Sequence, residues 1–103
     1  MDRNDCPSIE LMKFLGKKWT LLILRLLTED ESYRFSDIES ELDGISPKTL
    51  SERLKEFQRL GIVEKETFGE VPPRTEYSMT DRGNELLDCF RCMDGWMEKH
   101  DLA

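Results

Sequence analysis

Histidine is nearly missing from this 103-residue chain, which has only His100. No Ser or Cys stands beside a base, no glycine-rich stretch can cradle a phosphate, and no obvious carboxylate pair is present. The parts of an active site are lacking, so the chain is not expected to be an enzyme. Long apolar runs are missing as well. None approaches the roughly 20 residues that a membrane-spanning helix needs, and the opening Met1-Asp2-Arg3-Asn4-Asp5 is not the charged-then-apolar pattern of a secretory leader. No membrane association is expected, and a cytoplasmic location is. Cysteine is scarce at three residues, and an odd count in that compartment gives no reason for a disulfide framework. Cys89, Cys92 and His100 fall one ligand short of a structural zinc site, so neither metal nor another cofactor is expected. Repeats, low-complexity tracts and long linkers are also missing. Residues 1–103 are expected to form a single domain with a thin core, since chains of this size bury only about 60–70% of their unfolded surface. Pairing of two copies would supply what one lacks.

What the chain does have is a run of helix ends written into the local sequence. Ser36-Asp37-Ile38-Glu39 has the form of a capping box, with the Ser36 hydroxyl and Glu39 carboxylate satisfying backbone N–H groups of a short helix. Asp43-Gly44 breaks it. Ile45-Ser46-Pro47 starts a second helix with Ser46 as N-cap, Pro47 in the first turn, and Ile45 stapled to Leu50. This helix, about residues 46–60, ends at Gly61, after which Ile62 folds back toward Phe57. Leu50, Leu54 and Phe57 cluster on one side, and Lys48, Ser51, Glu52, Lys55 and Arg59 lie opposite.

A hairpin follows, about residues 62–79. The β-prone runs Ile62–Phe68 and Arg74–Met79 flank Gly69-Glu70-Val71-Pro72-Pro73, whose prolines stiffen the tip and forbid pairing there. Two capped helices joined by a tight turn and followed by a hairpin are the layout of a winged helix-turn-helix, for which double-stranded DNA is the expected partner. The fold class is then mainly α with a small β-hairpin wing. In that geometry Lys48, Thr49, Ser51 and Glu52 lie nearest base edges. Lys55 and Arg59 reach phosphates, and Arg53 packs its stem while its guanidinium reaches one too. Arg34, Ser36 and Ser46 join the candidate set, and Arg74 lays a cation beside the backbone or into the minor groove.

Positive charge is in short supply for such a role. Lys and Arg number 15 against 22 Asp and Glu, a net −7, whereas duplex affinity rests largely on neutralising phosphates. The deficit is uneven, because from Ser46 to Arg74 six Lys or Arg face five Glu. Acidic residues crowd elsewhere, in Glu29-Asp30-Glu31, around Glu39, Glu41 and Asp43, and along the last helix. Weak non-specific binding and reliance on a specific site are expected.

The outer segments are rich in apolar residues. Trp19, Leu22, Ile23, Leu26 and Leu27 follow helical spacing, with Leu21 and Leu24 adding to a helix expected to be central. The last helix, about residues 80–100, carries Leu86, Phe90, Met93 and Met97 on one stripe, and Cys89, Cys92 and Trp96 on a second flank. One flank is expected to face its own domain and the other a second copy. The helix from Pro7 to Leu15 has more apolar surface than a short amphipathic helix hides, and joins the expected dimer face.

From Cys6-Pro7 to Trp96 the chain resembles the HxlR-type winged helix-turn-helix transcriptional regulators of bacteria and archaea. The matching pieces are Cys6-Pro7, the stretch from Gly16 to Arg25, Arg34-Phe35, the stretch from Gly44 to Leu54, Pro72-Pro73-Arg74 with Glu76-Tyr77, and Thr80-Asp81-Arg82-Gly83. The resemblance implies a homodimer formed by N- and C-terminal helices and binding a pseudo-palindromic operator, more often as a repressor. It also implies that a cysteine at the Cys6 position can answer oxidants or electrophiles. Cys6 reads as the N-cap of the first helix, where the dipole favours a thiolate, although Asp2 and Asp5 oppose it. Cys89 and Cys92 are three apart on one helix, with Cβ atoms about 5–6 Å apart, too far for a bridge without distortion. A redox role therefore pairs Cys6 with Cys89 or Cys92 of a second copy. A winged-helix module that docks on proteins without specific DNA binding is the alternative. A further one is a regulator with a small-molecule effector, which needs an apolar pocket at the dimer seam.

Overall fold

The computed structural model describes residues 7–102. Cys6, the first of the redox candidates, lies outside the described residues. The order is α1 (Pro7–Leu15), α2 (Thr20–Leu26), β1 (Tyr33–Arg34), α3 (Phe35–Glu41), α4 (Pro47–Arg59), β2 (Val63–Phe68), β3 (Arg74–Met79) and α5 (Asp81–Lys99). Three antiparallel strands make one sheet in the order β1-β3-β2.

The α4 ends follow from their own residues. The Ser46 hydroxyl accepts the Thr49 N–H at 3.1 Å, and Pro47 takes the first turn, where its missing N–H goes unneeded. At the other end Gly61 turns left-handed at φ 75. The Ile62 N–H then reaches the Phe57 carbonyl at 2.9 Å and the Gly61 N–H reaches Gln58 at 3.0 Å, the two bonds of a Schellman stop. Leu50, Leu54 and Phe57 are buried from this helix, and they meet Ile23, Leu24 and Leu27, Ile38 of α3, Ile45 at the turn, and Ile62, Val63 and Tyr77 of the hairpin. Phe14 of α1 closes the core edge-on against Phe57, with ring centroids 5.3 Å apart.

Two local expectations are corrected. Ser36 does not cap α3; the cap lies two residues earlier, at Arg34, whose N–H donates to the Asp37 carboxylate at 3.0 Å. Tyr33 and Arg34 are pinned to Tyr77 and Glu76 as strand β1, so the chain enters the helix directly from the sheet. In α2, Leu22 does not face inward: it is 58% exposed, and Leu21 is 46% exposed. Trp19 is left-handed at φ 77 and the helix starts at Thr20, which turns Thr20, Ile23, Leu24 and Leu27 to the core instead.

The start of α5 is clasped to the end of α4. Thr80 caps α5 by accepting the Gly83 N–H at 3.1 Å, while its own hydroxyl donates to the Gly61 and Ile62 carbonyls. Arg82 donates to the Leu60 carbonyl at 3.0 Å. Gly83 is buried because α5 crosses the Ile62 carbonyl where a side chain would stand. Beyond Leu86 and Leu87, which are half-buried, the helix leaves the core. The molecule is correspondingly long, 51 × 36 × 27 Å. The flank of α5 expected to face its own domain does so at Leu86, Leu87 and Phe90, which are half-buried, whereas Cys89, Cys92, Met93, Trp96 and Met97 are exposed.

Candidate nucleic-acid interface

The Leu42–Ser46 turn fixes how α4 is presented. Gly44 adopts φ 90, and the Ile45 N–H closes on the Leu42 carbonyl at 3.2 Å, so a short α3 leads at once into the capped start of α4. With Leu50, Leu54 and Phe57 committed inward, helical geometry sends Lys48, Glu52, Lys55 and Arg59 outward in one stripe. All four are exposed. Lys48, Lys55 and Arg59 make no ion pair among the described residues. Their charge is available to an outside anion.

The other candidates on this helix are placed differently. Ser51 is half-buried on one flank. Ser46 is engaged in the cap, accepting from the Thr49 N–H and donating to the Thr49 hydroxyl at 2.9 Å; the Thr49 hydroxyl keeps its own proton to donate. Arg53 is turned away from the stripe. Its Nε donates to the Lys18 carbonyl at 3.1 Å and its NH1 to Glu56 at 3.0 Å.

On the wing, the Arg74 guanidinium lies 4.5 Å from the centre of the Phe68 ring, 3.0 Å from the Glu70 carboxylate and 3.7 Å from that of Glu76. Two carboxylates offset its charge. The tip presents a fully exposed Val71 ahead of the cis Val71–Pro72 bond. Arg34, Ser36 and Arg74, distant in sequence, line one cleft of about 480 Å³ between the start of α3 and the wing tip. Across the β1–β3 rung Tyr33 faces Tyr77. Burial pushes both phenols up, and for Tyr33 the carboxylates of Asp30, Glu29 and Glu41 add to it, so both stay neutral at ordinary pH.

Away from this surface, α2 and α5 enclose an apolar groove of about 380 Å³ lined by residues including Leu24, Leu87, Phe90 and Met97. Met12, Leu21, Leu22, Met93 and Trp96 are exposed around α1, α2 and α5. Cys89 and Cys92 are free, exposed thiols, and the Cys89 thiol points at the Glu85 carbonyl, 3.8 Å away. His100 rests against Trp96, 5.0 Å between ring centres, and among the described residues no three His, Cys, Asp or Glu converge on a common point. Among the described residues no helix is long and apolar enough to cross a membrane.

Sequence reasoning missed Lys17, Glu56, Thr80 and Arg82. Glu56 pairs with Lys17, 39 residues away, besides Arg53 three away, and Arg82 reaches an acceptor 22 away; at the longer separations no local pattern signals a contact.

A family model described as an HxlR-like helix-turn-helix matches residues 14–102. YvaP of Bacillus subtilis, an HTH-type transcriptional regulator, is 40% identical over 92 residues, covering 88% of this chain and 84% of YvaP. YodB of the same organism, also an HTH-type transcriptional regulator, is 36% identical over 100 residues, 96% of this chain and 88% of its own. The reduced YodB structure superposes with a TM-score of 0.80, covering 91% of this chain and 92% of that one, and YodB has also been solved diamide-treated and quinone-bound. A MarR-family regulator structure from Enterococcus faecalis V583 gives a TM-score of 0.83 at 32% identity, over 98% of this chain and 90% of its own.

Proposed function

We propose, from the premise that this chain belongs to the HxlR-like helix-turn-helix family of transcriptional regulators, that it acts as a homodimeric repressor. In this reading α4 enters the major groove of a pseudo-palindromic operator and occludes a promoter. The observation that carries it is the outward stripe of α4, where Lys48, Lys55 and Arg59 are exposed and have no ion-pair partner among the described residues, on a helix capped at both ends. The N-terminal turn, with Lys48, Thr49, Ser51 and Glu52, addresses base edges. Lys55 and Arg59 address phosphates, and the wing lies alongside with Arg34, Ser36 and Arg74 around one cleft.

Dimerisation through α1, α2 and α5 is supported by the large apolar side chains these helices leave in water, Leu22, Met93 and Trp96 among them. Isolated exposed apolar residues are ordinary, but this many on three helices favour an interface. Two copies also set two α4 helices against successive grooves.

A thiol response is the finer part of the proposal. YodB, a relative, is known diamide-treated and quinone-bound; here Cys89 and Cys92 offer exposed thiols on the proposed dimer helix, and Cys6 is the remaining candidate. The effector class is an oxidant or electrophile.

Selection of random duplexes on the reduced protein, repeated after a mild thiol oxidant, tests all three parts. An enriched inverted repeat with half-sites about one helical turn or a multiple apart supports the dimeric operator reading, and its loss on oxidation supports the thiol response. The protein-docking alternative has the net charge of −7 and the exposed apolar helices on its side. It gains if no duplex is enriched.

A further inference from the structure

Arg53 and Glu56 stand on the flank of α4 between the buried row and the outward stripe, and both are largely hidden, with side chains 14% and 15% exposed. They are knotted to the turn between α1 and α2. Arg53 donates through Nε to the Lys18 carbonyl at 3.1 Å and through NH1 to one Glu56 oxygen at 3.0 Å. The other Glu56 oxygen takes the Lys17 ammonium at 3.1 Å. The carbonyl that Arg53 satisfies belongs to the residue before Trp19, whose left-handed backbone at φ 77 turns α1 into α2. Lys17 also sits 5.9 Å from the centre of the Phe14 ring, and that ring meets Phe57 of α4 edge-on. A polar stitch and an aromatic one therefore join the same two segments.

We propose that Arg53 and Glu56 are positioning residues. Through Lys17 and the Lys18 carbonyl they set the angle at which α4 is offered to DNA, and neither touches the duplex. The inference goes beyond the proposed function but rests on its claim that α4 enters the groove. The physical ground is the commitment of their hydrogen-bonding capacity: one carboxylate serves two cations, one oxygen each, and the guanidinium donates to two acceptors fixed on different elements. A planar fork holds both at once, which a lysine ammonium on a flexible stem does not reproduce. Releasing this clamp leaves the α4 surface intact but lets it tilt against α1 and α2, where the dimer is proposed to form.

The test is the sign of one substitution. Glu56→Gln removes a negative charge from the helix that faces phosphates, so if its charge acted only through the field, DNA affinity would rise. If Glu56 positions α4, affinity for the selected duplex falls, about tenfold, as expected for loss of charge-assisted hydrogen bonds, while affinity for random duplex does not fall. Both are measured by fluorescence anisotropy on active protein counted by stoichiometric titration, so that a mere loss of folded molecules does not register. Arg53→Ala should weaken the selected duplex similarly with an unchanged slope of log affinity against log salt, and the double variant should be no worse than either single one. Tighter binding by Glu56→Gln, or a slope lowered by about 0.9 in Arg53→Ala as for a lost phosphate contact, overturns the proposal and leaves the DNA reading standing. Should Glu56→Gln fail to fold, the Arg53→Ala slope decides alone. Wild-type protein that binds no duplex overturns the DNA reading itself, and the positioning role with it.

Discussion

Gly83 and Gly95 lie in the same helix, and replacing each by alanine should move stability in opposite directions. A β-carbon at Gly83 would collide with the Ile62 carbonyl oxygen, come within 2.7 Å of the Met79 methyl and lie 3.2 Å from the Ile62 side chain. The methionine end can swing away. The carbonyl cannot, because the Thr80 N–H holds it at 3.0 Å and the Thr80 hydroxyl at 3.1 Å. Relief therefore means backing α5 off the end of α4 and loosening the cap. Overpacking costs about 1–3 kcal/mol, and the upper part of that range, about 2–3 kcal/mol, applies where the clash is with held backbone; alanine's better helix propensity returns about 0.8–1 kcal/mol, leaving a net loss of about 1–2 kcal/mol. At about 4–8 °C per kcal/mol for a chain of this size, the midpoint should drop by about 5–15 °C. A β-carbon at Gly95 would meet nothing within 4 Å beyond its own helix among the described residues, and its helical face is shared with Asp88, Arg91 and Glu98 rather than with the apolar stripe. Gly95→Ala should gain the propensity term undiminished and raise the midpoint by about 4–8 °C. Thermal unfolding followed by circular dichroism, at one fixed protomer concentration because pairing shifts the midpoint, reads both. A Gly83→Ala protein as stable as wild type would refute the close approach of α5 to the end of α4.

Ser46→Ala removes the acceptor for the Thr49 N–H and should lower stability by about 1 kcal/mol; urea unfolding with an unchanged midpoint would show that the cap is dispensable. Met93→Lys places a charge on the 57%-exposed Met93 of α5 and should shift sedimentation from dimer to monomer at micromolar concentration, whereas an unaffected dimer would move the proposed seam elsewhere. Lys55→Ala should reduce the salt slope of duplex binding by about 0.9. Arg74→Ala should reduce it less, since Glu70 and Glu76 already offset that charge; equal effects from the two would contradict the pairing.

Wherever an element is specified by its own residues, the sequence was enough to find it. Ser46-Pro47 and Gly61 bound α4 because a cap, a fixed φ and a left-handed stop are local chemistry, and the prolines between two β-prone runs mark the wing tip for the same reason. What escaped depends on partners far along the chain. Strand β1 is two residues long and exists only by pairing with Tyr77 and Glu76, and that pairing moved the cap of α3 from Ser36 to Arg34. The phase of α2 turned on the backbone of Trp19, which periodicity does not see, so Leu22 was assigned to the wrong side. Helical angle alone put the Arg53 guanidinium within reach of a phosphate, whereas in the structure it is engaged internally. One of its acceptors, Glu56, lies three residues along the same helix; the other, the Lys18 carbonyl, comes into view only once the turn between α1 and α2 is folded against α4. The outward stripe of Lys48, Lys55 and Arg59 was legible because among the described residues no such partner intervenes.

That stripe is best tested by repeating the random-duplex selection with Lys48→Ala in place of the wild-type protein. If the first turn of α4 lies against base edges, the enriched inverted repeat should lose its preference at the same position of both half-sites, with the remaining positions kept. An unchanged consensus at undiminished affinity would mean that α4 does not read the groove through this face.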